Sequence, residues 1–353
     1  MVFDLKGTGL SSDHSAWTRF TDATITSTAA GGTWSDGSTW VGGIAPVAVD
    51  NAIIATNTGN TVTLGANTDI TDLSINSGAL LNGANSLLVT GNAVIDGIIG
   101  SLNPLASLSV TGTTSMGANV TTSGTQTYTG LLTLTGTGTR TLTTTNSAID
   151  LTGGVTDAAD SVGLTVTGGS GAVTLGSGGT INIDGMLTKE GSGNFVTNGR
   201  DITAGGLTVG SAGSSGGTFN SASAGGTWTI GTSGVTINNI LTRLNATSGT
   251  FKVAGNWNNT TNNAAPFVEG TGTVTLNGAS QSISLNETFY NLTTERPTPV
   301  TSGTQTLGGN VVVSNNLITG ASTTFSLVDK ALTIGSTGAG IGTWTNNGTF
   351  NKG

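Results

Sequence analysis

The sequence predicts an all-β fold, a parallel coil of short stacked strands (a β-solenoid) with a short N-terminal cap or arm, and three observations carry that expectation. Segments such as Thr61-Val62-Thr63-Leu64-Gly65, Leu164-Thr165-Val166-Thr167-Gly168 and Thr273-Val274-Thr275-Leu276-Asn277-Gly278 repeat one pattern. In each, apolar residues alternate with Thr for about four residues before Gly or Asn turns the chain, the period of a strand with one buried face. Charged residues make up 8% of the 353 positions, against roughly 25% in ordinary globular domains, so the charged faces of surface helices cannot be built. The chain holds 58 Gly and 69 Thr, and its apolar content is thin for a compact globule. A narrow coil resolves this, because it needs only one or two inward side chains per strand and Thr and Asn can cover the outside.

In chain order, residues 1–32 form an N-terminal cap or assembly arm. They contain His14, Trp17, Arg19 and Phe20 and show no Gly-closed strand repeat until Thr24-Ile25-Thr26. A cap would shield the first rung; an arm would pair with a neighbouring subunit, because an exposed strand edge is a template for strand addition. Residues 33–353 form the coil, and its opening segment, 33–54, is the most specific stretch of the sequence. It carries Trp34-Ser35-Asp36, Trp40, Gly42-Gly43, Pro46 and Asp50. Two aromatics can plug the end of a narrow core, Pro fixes a bend, and Asp50 can bond local backbone in a turn. Calcium is the competing reading of Asp36 and Asp50, but two carboxylates fall far short of a shell of six to eight oxygens.

This opening segment resembles the one that precedes parallel β-helix regions in large bacterial surface exoproteins. Between about residues 121 and 185, Ser123-Gly124-Thr125-Gln126-Thr127-Tyr128-Thr129-Gly130 leads through Leu134 to Ala148-Ile149-Asp150-Leu151-Thr152-Gly153. That stretch is similar to the repeat unit of filamentous-haemagglutinin-like bacterial surface exoproteins, and the resemblance implies a right-handed parallel β-helix. Thr301-Ser302-Gly303-Thr304-Gln305-Thr306 copies Thr122-Ser123-Gly124-Thr125-Gln126-Thr127 within the chain, with Ala331-Leu332-Thr333-Ile334-Gly335 near the expected place of a counterpart to Ala148–Leu151. Gly193–Gly199, Thr271–Gly278 and Phe289–Leu292 are similar to repeats of bacterial surface and phage tail proteins. The final stretch, Thr343–Gly353, reads as a strand, an Asn-Gly turn and the start of another strand. No polar cap follows, so the C-terminal rung is expected to be uncapped, the chain being a fragment or the next rung belonging to another molecule. At about 20 residues per rung and about 4.8 Å between strands, the coil would be a rod of roughly 70 to 80 Å.

Charge narrows the function classes. No basic residue falls between Arg19 and Arg140, whereas Asp22, Asp36, Asp50, Asp69, Asp72 and Asp96 do, so nucleic acid is excluded as a partner. The acidic pI of about 4.4 suits an extracellular or cell-surface protein. The absence of Cys leaves the redox compartment open. No run of about 18 apolar residues exists, so no helical membrane span is expected. Met1–Lys6 lacks the regions of a signal peptide, which suggests numbering from a processed start or from within a longer protein.

Catalysis would need matched carboxylates or a base with cationic help. The candidate pairs are Asp69 with Asp72 and Asp157 with Asp160, each confined to one loop or strand edge, and Asp157–Asp160, Glu287 and Glu295 read as solvated positions. The one histidine, His14, rules out a multi-His metal site. The expectation is therefore no enzyme, with no catalytic, cofactor-binding or metal residue assigned and no cofactor. Thr-x-Thr runs from Thr24 to Thr343 raise ice binding, but their irregular spacing argues against alignment on one face. Trp228 and Trp344, each between two Thr residues, should point into the core. Asn-x-Thr triplets at Asn119, Asn245, Asn258, Asn259, Asn286, Asn291 and Asn347 are what this composition generates by chance.

The expected function is that of a non-enzymatic extracellular structural protein, a filament subunit or adhesin stalk that self-associates head-to-tail through uncapped rung edges. The alternative is a glycan-binding or cell-surface-binding module of an adhesin or phage tail fibre, with host or cell-surface glycans as partners and aromatic residues exposed on one face.

Overall fold

Alternation along each strand becomes stacking between strands. Ile54, Ile75, Ile95 and Met116 are register partners in four successive parallel strands, and each is fully buried. The computed structural model describes residues 3–8, 15–20, 23–158, 161–210, 216–220, 225–238, 241–261, 266–296, 302–335 and 342–353. They fall into two units, Met1–Thr122 and Ser123–Gly353. Apart from one antiparallel hairpin and one single-turn 3-10 helix, Gly37–Thr39, the regular elements are short strands stacked in parallel. Together the units hold about 13 turns of β-solenoid.

In the first unit, Phe3–Thr8 pairs antiparallel with Ser15–Phe20, partnering Phe3 with Phe20 and Asp4 with Arg19. The parallel coil then starts at Thr24–Thr26, paired with Asn51–Ile54, followed by Gly32–Thr33 paired with Thr61–Thr63. The coil thus takes in the last residues of the segment assigned from sequence to the cap or arm. Three sides of each turn contribute an inward column. Besides the isoleucine column, Val62, Leu81, Ile99 and Val120 stack on the second side. Ile70, Val89 and Val110 stack on the third. Successive partners Ala52, Leu73, Ala93 and Thr114 are separated by nearly equal lengths of chain, close to the rung length that the sequence suggested.

The second unit keeps parallel pairing with turns that are longer on the whole and less regular. Leu132, Val155, Ile181, Ile202, Trp228, Phe251, Val274 and Leu292 are successive partners at uneven separations along the chain. Its core is aromatic over one long stretch. Phe195 stacks on Phe219 at 4.7 Å, Phe219 meets Trp228 edge-on at 5.4 Å, and the contacts run on through Phe251 and Trp257 to Phe267 and Phe289. These rings are buried and lie in offset or edge-to-face arrangements favoured by the ring quadrupoles.

The repeated hexapeptide does not mark a repeated place in the turn. Gln126–Tyr128 lies in the ten-stranded sheet and pairs with Ile149–Leu151, whereas Gly303–Leu307 lies in another sheet and pairs with Ser280–Ile283. What the copies share is a buried glutamine: the Gln126 amide donates to the Thr143 carbonyl at 2.8 Å and the Gln305 amide to the Gly278 carbonyl at 3.3 Å.

Candidate functional site

The opening segment closes on itself as its residues suggested. Trp34 and Trp40 are buried and meet edge-on at 4.9 Å, and the Trp40 indole donates to the Trp34 carbonyl at 2.7 Å. Asp50 accepts from the backbone of Val47 at 2.9 Å and of Ala23 at 3.2 Å, tying its turn to the first rung. Asp36 caps the 3-10 turn, accepting from the Ser38 amide at 2.9 Å, and that hydrogen bond holds its carboxyl below the usual range. Both carboxylates thus serve the backbone. Among the described residues, no three His, Asp or Glu side chains are grouped to hold a metal ion. His14 and Asp160 lie outside the described residues. Beyond the plug, Val41, Ile44 and Val47 are exposed.

On the outside, corner side chains knit one rung to the next. Where the chain bends, a backbone amide loses its ladder carbonyl, and an Asn or Asp of the preceding rung replaces it. Asn51 accepts from the Asp72 amide at 3.2 Å, Asp72 from the Asn92 amide at 2.6 Å, and Asn92 from the Thr113 amide at 2.9 Å. In the second unit Asp157 accepts from the Asp184 amide, Asn194 from Thr218, Asp201 from Thr227 and Asn286 from Asn310. Asp72 and Asp157 therefore act as corner acceptors, while Asp69 is exposed on Thr68–Ile70. An open groove of about 260 Å³ crosses the rungs of the first unit where the small Ser74 stands between outward Ile53 and Val94.

The spacing argument against aligned threonines fails in the second unit. Thr141, Thr165, Thr188, Thr208 and Thr236 are register partners in five successive strands. Differing turn lengths are taken up between the strands, so the paired strands keep one register. Trp228 is buried as its flanking threonines imply, but Trp344 is 39% exposed. It continues the column of Leu292 and Leu317, and no described strand covers it from beyond.

A lysine and a glutamate, side chains that carry charge in water, sit inside the second unit, and sequence reasoning passed over one and misplaced the other. Lys189 occupies an inward position in register with Val166 and Val209 and is 1% exposed. Its ammonium donates to the Gly191 carbonyl, and burial pushes its pKa down to about 8. Gly217, at φ +118°, leaves room for it: an added Cβ would collide with the Lys189 ammonium and stand 2.7 Å from the Gly193 carbonyl. The only sequence signal was a lysine at an alternation position that elsewhere holds Val.

Glu287 is a correction. It lies not in solvent but at an inward position of Glu287–Phe289, 6% exposed. Its carboxylate accepts from the Trp257 indole at 3.0 Å and from the Thr288 amide at 3.2 Å. Burial pushes its pKa up to about 7, with the nearby Glu269 carboxylate acting in the same direction. Glu295 behaves as expected, half-exposed and 3.5 Å from Lys252, a pairing worth little in solvent.

The last turn is the other distinctive surface. Leu332–Ile334, Thr343–Asn346 and Thr349–Asn351 each pair, among the described strands, on one side only, with Val311–Val313, Asn316–Thr319 and Thr323–Ser326. Trp344 and Phe350 meet edge-on there at 4.8 Å. Among the described residues no helix is long and apolar enough to cross a membrane. No protein-family model matches the chain, and neither the curated proteins nor the solved structures provide a match.

Proposed function

We propose that this β-solenoid is a non-enzymatic extracellular structural element, a rod acting as filament subunit or adhesin stalk in the manner of filamentous-haemagglutinin-like exoproteins, extended by stacking of rung edges. The observation that carries the reading is the last turn. Its three strands offer unpaired backbone edges among the described strands, and Trp344 and Phe350 hold inward-column positions without a described rung above them. A further parallel rung, from more of the same chain or from a second copy, would pair those edges and bury both rings.

The outer faces support the same reading. They are built from Thr, Ser and Asn in register, with Asn and Asp oxygens consumed by backbone amides. Glycan recognition would call for aromatic side chains on a lateral face, and Trp344 is the one aromatic among the exposed large hydrophobics of the described residues. The test is light scattering of the purified chain across a concentration series, beside Trp344→Asp. Concentration-dependent growth that the substitution abolishes supports stacking through this surface. A monomer at every concentration sinks self-assembly, and specific retention on a glycan array would then favour the adhesin-module reading.

A further inference from the structure

The sequence holds four Asn-Gly pairs, Asn82-Gly83, Asn198-Gly199, Asn277-Gly278 and Asn347-Gly348, and the structure treats the last unlike the other three. In such a pair the glycine amide nitrogen can reach the asparagine side-chain carbonyl carbon, because no Cβ on the glycine obstructs the approach. Asn82 is 3% exposed. Its amide donates to the Thr61 hydroxyl at 2.9 Å, its oxygen accepts from the Leu102 amide at 3.1 Å, and the Gly83 amide donates to the Asn103 carbonyl at 2.9 Å. Asn198, though exposed, donates to the Leu175 carbonyl at 2.6 Å. At Asn277 the attacking group is the one tied up, since the Gly278 amide donates to the buried Gln281 side chain at 2.6 Å.

Asn347 is exposed, and among the described residues its carboxamide makes no hydrogen bond. Its backbone is nevertheless fixed, because its amide donates to the Thr319 carbonyl at 2.8 Å. The Gly348 amide donates to the exposed Asn346 side-chain oxygen at 3.2 Å, the long limit for such bonds. Gly348 has no room for a larger residue: a Cβ there would stand 2.5 Å from the carbonyl oxygens of Gly320 and Thr323. Packing thus enforces the reactive pair at this bend.

We propose that Asn347 is a site of self-modification, the asparagine of these four pairs that the folded chain deamidates first. The Gly348 nitrogen bonds to the Asn347 side-chain carbonyl carbon, the bond from that carbon to the side-chain nitrogen breaks, and ammonia leaves with the proton given up by the Gly348 amide. Water then opens the cyclic imide at either carbonyl, leaving an aspartyl or an isoaspartyl residue and one new carboxylate. That charge falls in the bend between Thr343–Asn346 and Thr349–Asn351, strands that hold no charged residue and that carry Trp344 and Phe350. Charge is one of the devices that keep a strand edge from pairing, so deamidation closes the stacking surface with age, a consequence that rests on the stacking reading above.

The test is peptide mapping by mass spectrometry after incubation of the intact protein in mildly alkaline buffer, beside a sample unfolded in denaturant. Folded, Asn347 should lose its amide more than about tenfold faster than Asn82, Asn198 and Asn277; unfolded, the four should react at comparable rates. Equal rates in the folded protein, or an Asn347 that outlasts the other three, overturns the proposal. Light scattering reads the consequence separately. Asn347→Asp should reduce concentration-dependent growth, and Asn347→Gln should keep it as incubation proceeds; growth unchanged in Asn347→Asp overturns the closing of the edge. No growth in the fresh wild type would sink the stacking reading and leave the deamidation assignment to be decided by the mass spectra.

Discussion

The two units fill the same kind of coil in different ways. In the first, turns of nearly constant length bring Ile54, Ile75, Ile95 and Met116 into one column, and beyond the Trp34–Trp40 pair of the opening segment the interior columns are aliphatic. In the second, turns that are uneven and mostly longer accompany a run of rings from Phe195 to Phe289 and a buried lysine and glutamate, Lys189 and Glu287. The comparison teaches that parallel register is set by the strands and corners and survives changes in turn length. Interior composition varies independently of turn length: the spans from Leu132 to Val155 and from Val155 to Ile181 are at least as long as that from Trp228 to Phe251, yet their inward residues are aliphatic.

The largest effect should come from opening that aromatic run. Phe219→Ala, which removes the ring between Phe195 and Trp228, is expected to cost about 3 to 5 kcal/mol in denaturant unfolding. Ile75→Val in the first unit should cost about 0.5 to 1.5 kcal/mol. Equal losses would show that the aromatic region is no more tightly committed than the aliphatic one.

Next in size is the buried lysine. Lys189→Met replaces a desolvated amine with an apolar chain of similar length between Val166 and Val209, and should stabilise by about 1 to 4 kcal/mol. The same variant sharpens the pH behaviour. Because burial lowers the Lys189 pKa from 10.5 to about 8, the folded protein releases the proton more readily than the unfolded chain. Wild-type stability should therefore rise between about pH 8 and 10.5, and Lys189→Met should lose that rise in thermal melts. A smaller effect is expected at the corners: Asp72→Ala removes the side-chain acceptor of the exposed Asn92 amide and should cost about 0.5 to 1.5 kcal/mol, read by hydrogen exchange at Asn92. Thr188→Val on the outer face should stay within about 0.5 kcal/mol.

How much of this was legible in the sequence depends on the residue. The alternation at Leu164–Thr167 announces both the strand and its buried face, because a period of two is local. Trp34, Trp40 and Asp50 likewise act within or next to their own turn, so their roles as plug and turn acceptor could be read directly. The alignment of Thr141 with Thr165, Thr188, Thr208 and Thr236 could not, because it depends on how each loop absorbs its extra residues. The hexapeptide shared by residues 122–127 and 301–306 shows the same limit: local grammar recurs on a different side of the turn. Glu287 looked solvated because a carboxylate beside Asn and Thr usually is. Its burial depends on Trp257, far back along the chain, and no local pattern encodes that contact.

The in-register coil itself is open to a direct check, because the chain has no Cys and introduced cysteines report only on their own positions. Spin labels at Thr188→Cys and Thr208→Cys sit on neighbouring rungs, where backbones should be about 4.8 Å apart, and labels at Thr165→Cys and Thr236→Cys sit three rungs apart, about 14 Å. Strong dipolar broadening for the first pair and weaker broadening for the second is the result the coil predicts. Narrow, unbroadened spectra for the Thr188 and Thr208 pair would contradict it.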